Sequence, residues 1–289
     1  MRNYTLKQIQ TFMEVARQGS VSKAAERLFV TQPAVSMHIR QLEDAFGVAL
    51  FEPQGRGIRL TDAGHAFAGR ATAVMAELHE LESLMAEHAG AKQGRIALAV
   101  VTTAKYFVPM LLVRFGQLFP GIDVVLRIDN RENVLGLLAR SEADLVIMGR
   151  APKNMATEAV AFATNPMGII APPKHPLVQR ERLPFTALAD HIFVVRESGS
   201  GTRAAMERLF AQNEVPLKVA MEMPSNETIK QAVMAGMGLS FLSLRTVRQE
   251  LAGGYLAQLD ISGMPLTGQW FITHLAGKTL SPAARAFKE

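Results

Sequence analysis

The 289-residue sequence predicts an α/β protein in three parts: a small N-terminal helical domain that ends in a hairpin, one long helix, and a two-lobed α/β domain. Three observations lead to this prediction. Two short helical segments meet at a tight corner between residues 21 and 43. Apolar residues recur at alternating steps of four and three from Phe67 to Met85, and buried strands alternate with helices from Arg95 onward. A chain of this length exceeds the size at which one hydrophobic core stops growing, so several domains are expected.

The helical corner predicts a DNA-reading unit. Its first helix runs from about Val21 to Phe29 and buries a stripe of alanine and leucine. Thr31 is the expected N-cap of the second helix, because its side-chain oxygen can accept a free backbone N–H, and Pro33 fits a first turn that needs no N–H. One face of the second helix is apolar at helical spacing, and the opposite face is free to enter a major groove. The candidate DNA-binding residues on or near that face are Thr31, Gln32, Pro33, Ala34, Ser36, Met37 and Arg40.

An upstream helix and a downstream hairpin complete this domain. The apolar stripe from Leu6 to Ala16 has helical period and supplies a third helix. The segment from Leu50 to Thr61 has glycines that permit a tight turn, which predicts a wing beside the helix pair. Arg56 and Arg59 of the wing face outward and can contact phosphates or a minor groove. The alternative is a plain surface hairpin of helices with solvated arginines.

At this point the sequence resembles the N-terminal domain of LysR-type transcriptional regulators. The residues that carry the resemblance are Phe12, Ser20, Ala24, Ala25, Leu28, Gln32, Pro33, Ala34, Val35, Ser36, Ile39, Leu42, Glu43, Leu50, Phe51, Leu60, Thr61 and Gly64. One position departs from the family, which usually has an arginine where this chain has Pro53. The phosphate contact made there in the family is therefore in doubt, and Arg56 is expected to take over part of it.

The long helix is predicted from Asp62 to His88. Its apolar residues follow the a/d pattern of a coiled-coil seam, namely Phe67, Ala71, Val74, Leu78, Leu81 and Met85. Such a helix would connect two domains and dimerise the chain, as the linker helix of the resembled family does. The alternative is one amphipathic helix that lies on a globular domain. The glycines at 90 and 94 predict a break before the next domain.

The rest of the chain predicts two α/β lobes. The first series has strands at 95–101, 122–128 and 144–148 with helices at 107–118 and 133–140, a βαβαβ unit with a parallel sheet. The second series has strands at 167–171, 192–196, 218–223 and 239–243 and helices at 202–213 and 226–235. A late strand at 270–275 is expected to rejoin the first sheet, and a last helix begins near Pro282. The chain would cross between the lobes near residues 162–166 and 265–269.

The resemblance covers essentially the whole chain and implies a periplasmic-binding-protein-like effector domain after the linker helix. The expected domains are residues 1–61 for DNA binding, 62–91 for the linker and dimerisation helix, and 92–289 for effector binding. Within the last, lobe I takes residues 92–164 and 267–289, and lobe II takes residues 165–266. The resemblance also implies a homodimer or homotetramer on a long operator of double-stranded DNA.

Loops that follow strands in both lobes predict an anion site in the cleft between them. Hydroxyl groups, glycines and cations at a helix N-terminus attract phosphates and carboxylates, and open α/β sheets bind ligands at such loops. Arg203 is expected to bind the anion through its guanidinium fork. The candidate effector-binding residues are Thr102, Thr103, Lys105, Asn130, Arg131, Ser200, Gly201, Thr202, Arg203, Ser225 and Asn226. For each loop alone, helix capping is a sufficient explanation.

Segments of these loops and of their strands resemble the subgroup that regulates carbon dioxide fixation operons. They include 102–107, 144–150, 199–208 and 225–236. The resemblance implies a small phosphorylated effector, such as a sugar phosphate, phosphoglycolate or an NADPH-like nucleotide. Neither a cofactor nor a catalytic residue is expected.

The sequence also has features of a dinucleotide-binding protein, an enzyme or a solute-binding protein, but each fits fewer residues. The pattern Gly199-x-Gly201-x-x-Ala204 with Glu222 fits a loose dinucleotide fingerprint, but a phosphate site shared between lobes explains more residues. An enzyme acting on a phosphorylated substrate would need an acid and base pair, for which Glu132 and Glu227 are the candidates. A solute-binding protein would have no use for the first 60 residues.

Composition agrees with a DNA-binding regulator. The net charge of +5 favours an anionic partner. The absence of cysteine excludes disulfides and cysteine-based metal sites, and the spacing of the seven histidines suggests no metal centre. No apolar run is long enough to span a bilayer, so a cytoplasmic protein without a membrane partner is expected.

Overall fold

The computed structural model describes residues 4–55, 57–88 and 94–289. The chain forms two compact units, Met1–Glu82 and Ser83–Glu289. No helix in the described ranges is both long and apolar enough to cross a membrane.

The first unit is a small helical domain with a two-stranded hairpin. Its elements are α1 (Leu6–Gln18), α2 (Val21–Leu28), α3 (Gln32–Phe46), β1 (Phe51–Gln54), β2 (Gly57–Leu60) and α4 (Asp62–His88). Phe12 is fully buried at its centre, where the ring packs edge-on against Phe67 with ring centroids 4.8 Å apart. The predicted helices and the wing hairpin are therefore present, with a core formed by the predicted apolar faces.

The start of α3 differs from the prediction in one respect. Thr31 is the N-cap residue, but its side chain makes no capping hydrogen bond. A cap side chain accepts from the N–H of the second or third helical residue. The second residue, Pro33, has no N–H, and the N–H of the third residue, Ala34, does not bond to the Thr31 side chain. The preceding helix ends at Leu28, because Phe29 adopts a left-handed conformation with φ 55°.

Helix α4 has the predicted bounds, from Asp62 to His88. The first part of its apolar seam, with Phe67 and Ala71, packs into the core of the first unit. Further along the helix, Val74, Leu81 and Met85 are 49%, 53% and 51% exposed. The seam thus has a buried beginning and an uncovered continuation.

The second unit alternates strands and helices as predicted. Its strands are β3 (Gly94–Val101), β4 (Ile122–Asp129), β5 (Leu145–Met148), β6 (Thr157–Ala171), β7 (Ile192–Arg196), β8 (Lys218–Met223), β9 (Ser240–Ser243), β10 (Ala257–Gln258) and β11 (Leu266–Leu275). Its helices are α5 (Val108–Leu118), α6 (Arg131–Ala139), α7 (Gly201–Gln212), α8 (Asn226–Met234), α9 (Arg248–Ala252) and α10 (Pro282–Lys288). Short 3₁₀ helices span Thr102–Tyr106, Pro176–Gln179 and Phe185–Leu188.

Two lobes with separate cores make up this unit. In lobe I, β3 lies between parallel β4 and β5, and β11 joins β5 antiparallel, as predicted for the late strand. Fully buried Ile96, Leu98 and Trp270 belong to its core. In lobe II, β7 and β8 are parallel and β9 pairs with β6 antiparallel. Phe193, Phe210 and Phe241 are buried there.

The two lobes are joined by a hydrogen-bonded ribbon rather than by loops. β6 begins at Thr157, ten residues before the predicted strand, and pairs antiparallel with β11 along its length. Thr267 lies opposite Pro166 where the two crossings were expected. The strands predicted at 167–171 and 270–275 therefore began too late. The added residues of β6 are half-exposed or exposed with the exception of Asn165, and they include Pro166, a residue that is unusual within a strand.

Candidate DNA-binding and effector sites

The outer face of α3 presents the predicted DNA-binding side chains to solvent. Val35, Ile39 and Leu42 are buried, so the opposite face of the helix is free. The exposed candidates are Thr31, Gln32, Pro33, Ser36, Met37 and Arg40, and Ala34 is half-buried. Ser22, at the start of α2, donates to Gln32 Oε1 at 3.3 Å, which connects the first turns of the two helices. This arrangement can place polar side chains at base edges in a major groove.

The wing carries one described cation. Arg59 lies opposite Glu52 in the hairpin register, and its Nε is 2.7 Å from Glu52 Oε1. An exposed ion pair of this kind contributes little stability, so a phosphate could replace the carboxylate. Arg56 lies outside the described residues. Pro53 is exposed and faces Ile58 in the register.

A cavity of about 810 Å³ opens between the lobes of the second unit. Its size falls in the range of small-molecule sites, roughly 300–1,000 Å³. The predicted residues that line it are Thr102, Thr103, Asn130, Arg131, Ser200, Gly201 and Thr202. The joining ribbon contributes to the same wall through Asn165, Met167, Leu266, Thr267 and Gly268.

Helix α7 determines which arginine of lobe II faces the cavity. Gly201, Ala205 and Arg208 line it, at the spacing of four and three residues that keeps side chains on one helical face. Arg203 is two residues from Gly201 and therefore lies on the other side of the helix. Its guanidinium bonds to Glu207 one turn along and lies 3.7 Å from Glu222. The expectation that Arg203 would bind an anion in the cavity does not fit this geometry.

Three further candidates also lie outside the cavity lining. Lys105 places its Nζ 5.3 Å from the centre of the Tyr106 ring. Ser225 caps α8 by accepting from the N–H of Glu227. The Asn226 side chain is 1% exposed and accepts from Arg196 at 2.7 Å. These side chains have local structural partners that the sequence pattern could not reveal.

Arg196 is a buried lining residue that the sequence prediction missed. Its side chain is 2% exposed and makes a bidentate pair with Glu197, with N···O distances of 2.7 and 2.8 Å. It also donates to Asn226 and, at 3.0 Å, to Thr102 Oγ1. Since Thr102 belongs to lobe I, Arg196 connects the two lobes at the cavity. The available signal was an arginine at the end of an otherwise apolar strand.

The cavity lining contains several cations without carboxylate partners. Arg131, Arg150, Lys153 and Arg208 line it, and none of them forms an ion pair in the described part of the chain. No aspartate or glutamate occurs among the described residues that line the cavity. Burial lowers the pKa of Arg131, and the nearby charges of Arg150 and Arg208 lower it further. The cavity is therefore positively charged and has no neutralising group among its described walls.

A second contact between the lobes involves Tyr106 and α8. The Tyr106 hydroxyl donates to Glu227, whose other oxygen lies 2.8 Å from Lys230 Nζ. Burial raises the pKa of Glu227, but the hydrogen bonds from Lys230 and Tyr106 outweigh it, and the pKa lies below its usual value. Neither Glu227 nor Glu132 lines the cavity, so the acid and base pair of an enzyme is not assembled there. Among described residues, no cluster of three or more metal-ligating side chains occurs.

An exposed recognition helix in one unit and a charged cavity between two α/β lobes in the other define a DNA-binding protein with a ligand-binding domain. Residues 6–65 match the family described as bacterial regulatory helix-turn-helix protein, lysR family, and residues 89–289 match the LysR substrate binding domain. The chain belongs to the LysR family of bacterial transcriptional regulators. It is a regulator and not an enzyme.

Several proteins are similar to this chain along nearly its full length. A RuBisCO operon transcriptional regulator of Allochromatium vinosum is 43% identical over 99% of this chain and 94% of its own. The HTH-type transcriptional activator CmpR of Synechocystis is 44% identical over the same shares. The structure of the Synechocystis CcmR regulatory domain in complex with 2-PG is 44% identical, covers 68% of this chain and 94% of that chain, and has a TM-score of 0.65.

Proposed function

We propose that this protein binds operator DNA and controls genes of carbon dioxide fixation in response to a small phosphorylated anion. The observation that carries the proposal is the cavity of lobes I and II, with four cations that have no carboxylate partner. Arg131 is half-buried, whereas Arg150, Lys153 and Arg208 are exposed in the lining. Their charged groups can donate to an anionic ligand, and no carboxylate among the described lining residues competes for them. The relatives named for RuBisCO regulation and the 2-PG complex of CcmR support the same class of effector.

The hydroxyl groups of the cavity suit the same ligand. Thr102 and Thr103 follow β3, and Ser200 and Thr202 stand at the N-terminus of α7. Backbone N–H groups and hydroxyls at a helix N-terminus stabilise a phosphate or carboxylate. The roles of Asn130 and Arg131 at the start of α6 are proposed on the same grounds.

We assign DNA binding to residues 1–61, through the exposed face of α3 and through the wing. Gln32 is the candidate for adenine, since a glutamine side chain can make two hydrogen bonds to that base, and Ser36 and Arg40 can reach bases or phosphates. An operator-binding protein of this kind would act in the cytoplasm. Ligand binding would shift the lobes or their packing between subunits and so change the spacing and bending of the bound DNA.

The linker helix is the proposed dimerisation element, with residues 62–91 as its extent and residues 92–289 as the effector domain. Val74, Leu81 and Met85 are spaced at seven and four residues and leave an apolar stripe uncovered on α4. A second copy of the same helix would cover this stripe as a coiled coil. The family resemblance favours a homotetramer built from such dimers.

One experiment tests both halves of the proposal. Footprinting on the divergent promoter next to the protein's own gene is repeated with and without phosphoglycolate, sugar phosphates and NADPH. We expect protection over a long operator that changes in extent when the effector is present. Isothermal titration with the same compounds checks binding directly, and the absence of heat for all of them would exclude a phosphorylated effector. Unchanged DNA protection with a bound effector would exclude the regulatory coupling.

A further inference from the structure

Three arginines from both lobes lie near one another in the cavity lining, where Arg131 is half-buried and the other two are exposed. Arg131 is the first residue of α6 and Arg150 follows β5, both in lobe I, whereas Arg208 lies on α7 in lobe II. The Nη1 of Arg131 donates to the main-chain oxygen of Arg150 at 2.6 Å, which fixes the Arg131 side chain beside the main chain of Arg150. Gly201 of lobe II lies against the same group, since a Cβ there would be 3.2 Å from Arg131 Cδ.

The charges of this arginine cluster repel one another. Burial lowers the pKa of Arg131 first, and the charges of Arg150 and Arg208 lower it further. Burial also lowers the pKa of Arg208, with Arg150 as the second cause. A lowered pKa means that the surroundings disfavour the charged form. An anion bound between these arginines would therefore reduce their mutual repulsion.

The surroundings of Arg196 in the cavity lining are electrically different. Arg196 is neutralised there by the bidentate Glu197 and spends its remaining donors on Asn226 and Thr102. The Thr102 hydroxyl lies beside Arg196 and accepts a hydrogen bond from it. The arginine cluster is therefore the part of the described lining where guanidinium groups still have free donors for an anion.

We propose that Arg131, Arg150 and Arg208 form the phosphoryl subsite of the effector cavity and that the phosphoryl group joins the two lobes by bonding to arginines of both. The inference rests on the proposed function and extends it by assigning the anion to this cluster rather than to Arg203. Three guanidinium groups favour a dianion over a monoanion, because each added charge strengthens every pair. The rest of the ligand would extend toward the hydroxyls of Thr102 and Ser200.

The test uses the full chain and 2-phosphoglycolate as the probe, with inorganic phosphate as a second probe. The variants are Arg150→Gln and Arg208→Gln. Arg180→Gln is the matched control, because Arg180 is exposed, outside the cavity lining and without an ion pair in the described residues. We expect each cluster variant to weaken binding about 10- to 100-fold, the range for a lost charge-assisted hydrogen bond, and the control to bind as wild type.

Two further readouts separate ligand contact from a merely structural role. Both side chains are exposed and their repulsion is screened by water, so Arg150→Gln and Arg208→Gln should leave the melting temperature of the unliganded chain unchanged or raise it by about 2 °C at most, although they weaken binding. Binding by wild type should also fall as the pH drops through about 6, where a phosphoryl group becomes a monoanion.

The outcomes distinguish the two proposals. If wild type binds the probe and the cluster variants bind as tightly as Arg180→Gln, the subsite is wrong and the proposed function stands. If wild type binds none of the phosphorylated compounds, both the subsite and the phosphorylated effector of the proposed function are wrong. Weaker binding together with a lower unliganded melting temperature would mean that the arginines support the fold instead of the ligand.

Discussion

Replacement of Arg196 by methionine should destabilise the effector unit far more than the loss of one surface arginine. The guanidinium makes two bonds to Glu197, one to Asn226 and one to Thr102, and its side chain is 2% exposed. Removal of one partner of a buried pair leaves the other charge uncompensated, which typically costs about 3–5 kcal/mol. The Glu197 side chain is 17% exposed, so water can reach it only in part.

That free-energy loss corresponds to a large thermal shift. For a unit of about 200 residues, 1 kcal/mol lowers the melting temperature by roughly 2–4 °C, so Arg196→Met should lower it by about 6–20 °C. Thermal unfolding followed by circular dichroism measures the effect. Arg180→Met, which removes an exposed and unpaired arginine, should change the melting temperature by about 2 °C or less.

A double replacement tests the reason for the effect. Arg196→Met with Glu197→Met removes both charges, and exchange of a whole buried pair for apolar side chains is often neutral or stabilising. The double variant should therefore recover most of the lost melting temperature, with a remaining deficit from Asn226 and Thr102. An equal loss in the single and double variants would refute the view that the uncompensated carboxylate is the main cost.

Three further predictions concern other parts of the molecule. Gln32→Ala should weaken operator binding in a fluorescence anisotropy titration by about 1–3 kcal/mol with unchanged thermal unfolding, because the side chain is exposed; a shifted melting temperature would contradict this. Gly64→Ala should destabilise the first unit by at least about 2 kcal/mol in urea unfolding, since its Cβ would lie 2.1 Å from a main-chain oxygen. Gly69→Ala in the same helix is the control: its Cβ meets nothing within 4 Å, so it should stabilise the unit by up to about 1 kcal/mol. Equal effects of the two substitutions would exclude the clash at Gly64. Burial, and secondarily the charge of His191, lowers the pKa of His175 below 6.5. The unfolded chain therefore takes up the proton first, and the stability that His175 contributes should decline as the pH falls below 6.5. His175→Asn should flatten this part of the profile of stability against pH, and an unchanged slope would refute the prediction.

Local patterns were sufficient for most of the fold. The bounds of α4 follow from its periodic apolar residues, and the strands of lobe I follow from short buried runs such as β5. The first ten residues of β6 could not be predicted, because their strand conformation depends on pairing with β11, about 100 residues later. The segment has a short apolar run, Ala159 to Ala163, but it is only partly buried and ends at Pro166, which argues against a strand.

The candidate site was predictable only in its loops. Thr102, Ser200 and Thr202 could be placed because loops after strands meet at one edge of an α/β sheet. The orientation of an arginine on α7 is a matter of helical phase, and Arg208 has the same phase as Gly201 whereas Arg203 does not. Once Gly201 is assigned to the cavity, the helical repeat alone would have favoured Arg208. The convergence of Arg150 with Arg208 depends on the packing of the lobes and has no local signal.

The ribbon of β6 and β11 joins the lobes and also forms a wall of the cavity, through Asn165, Met167 and Thr267. Its strands are hydrogen-bonded to each other, so the lobes cannot swing on two independent loops. Relative motion of the lobes would instead twist and bend this two-stranded band. Because the band is also a wall of the cavity, rotation of one lobe against the other would change the shape of the cavity. The affinity for a ligand in the cavity would therefore depend on the angle between the lobes.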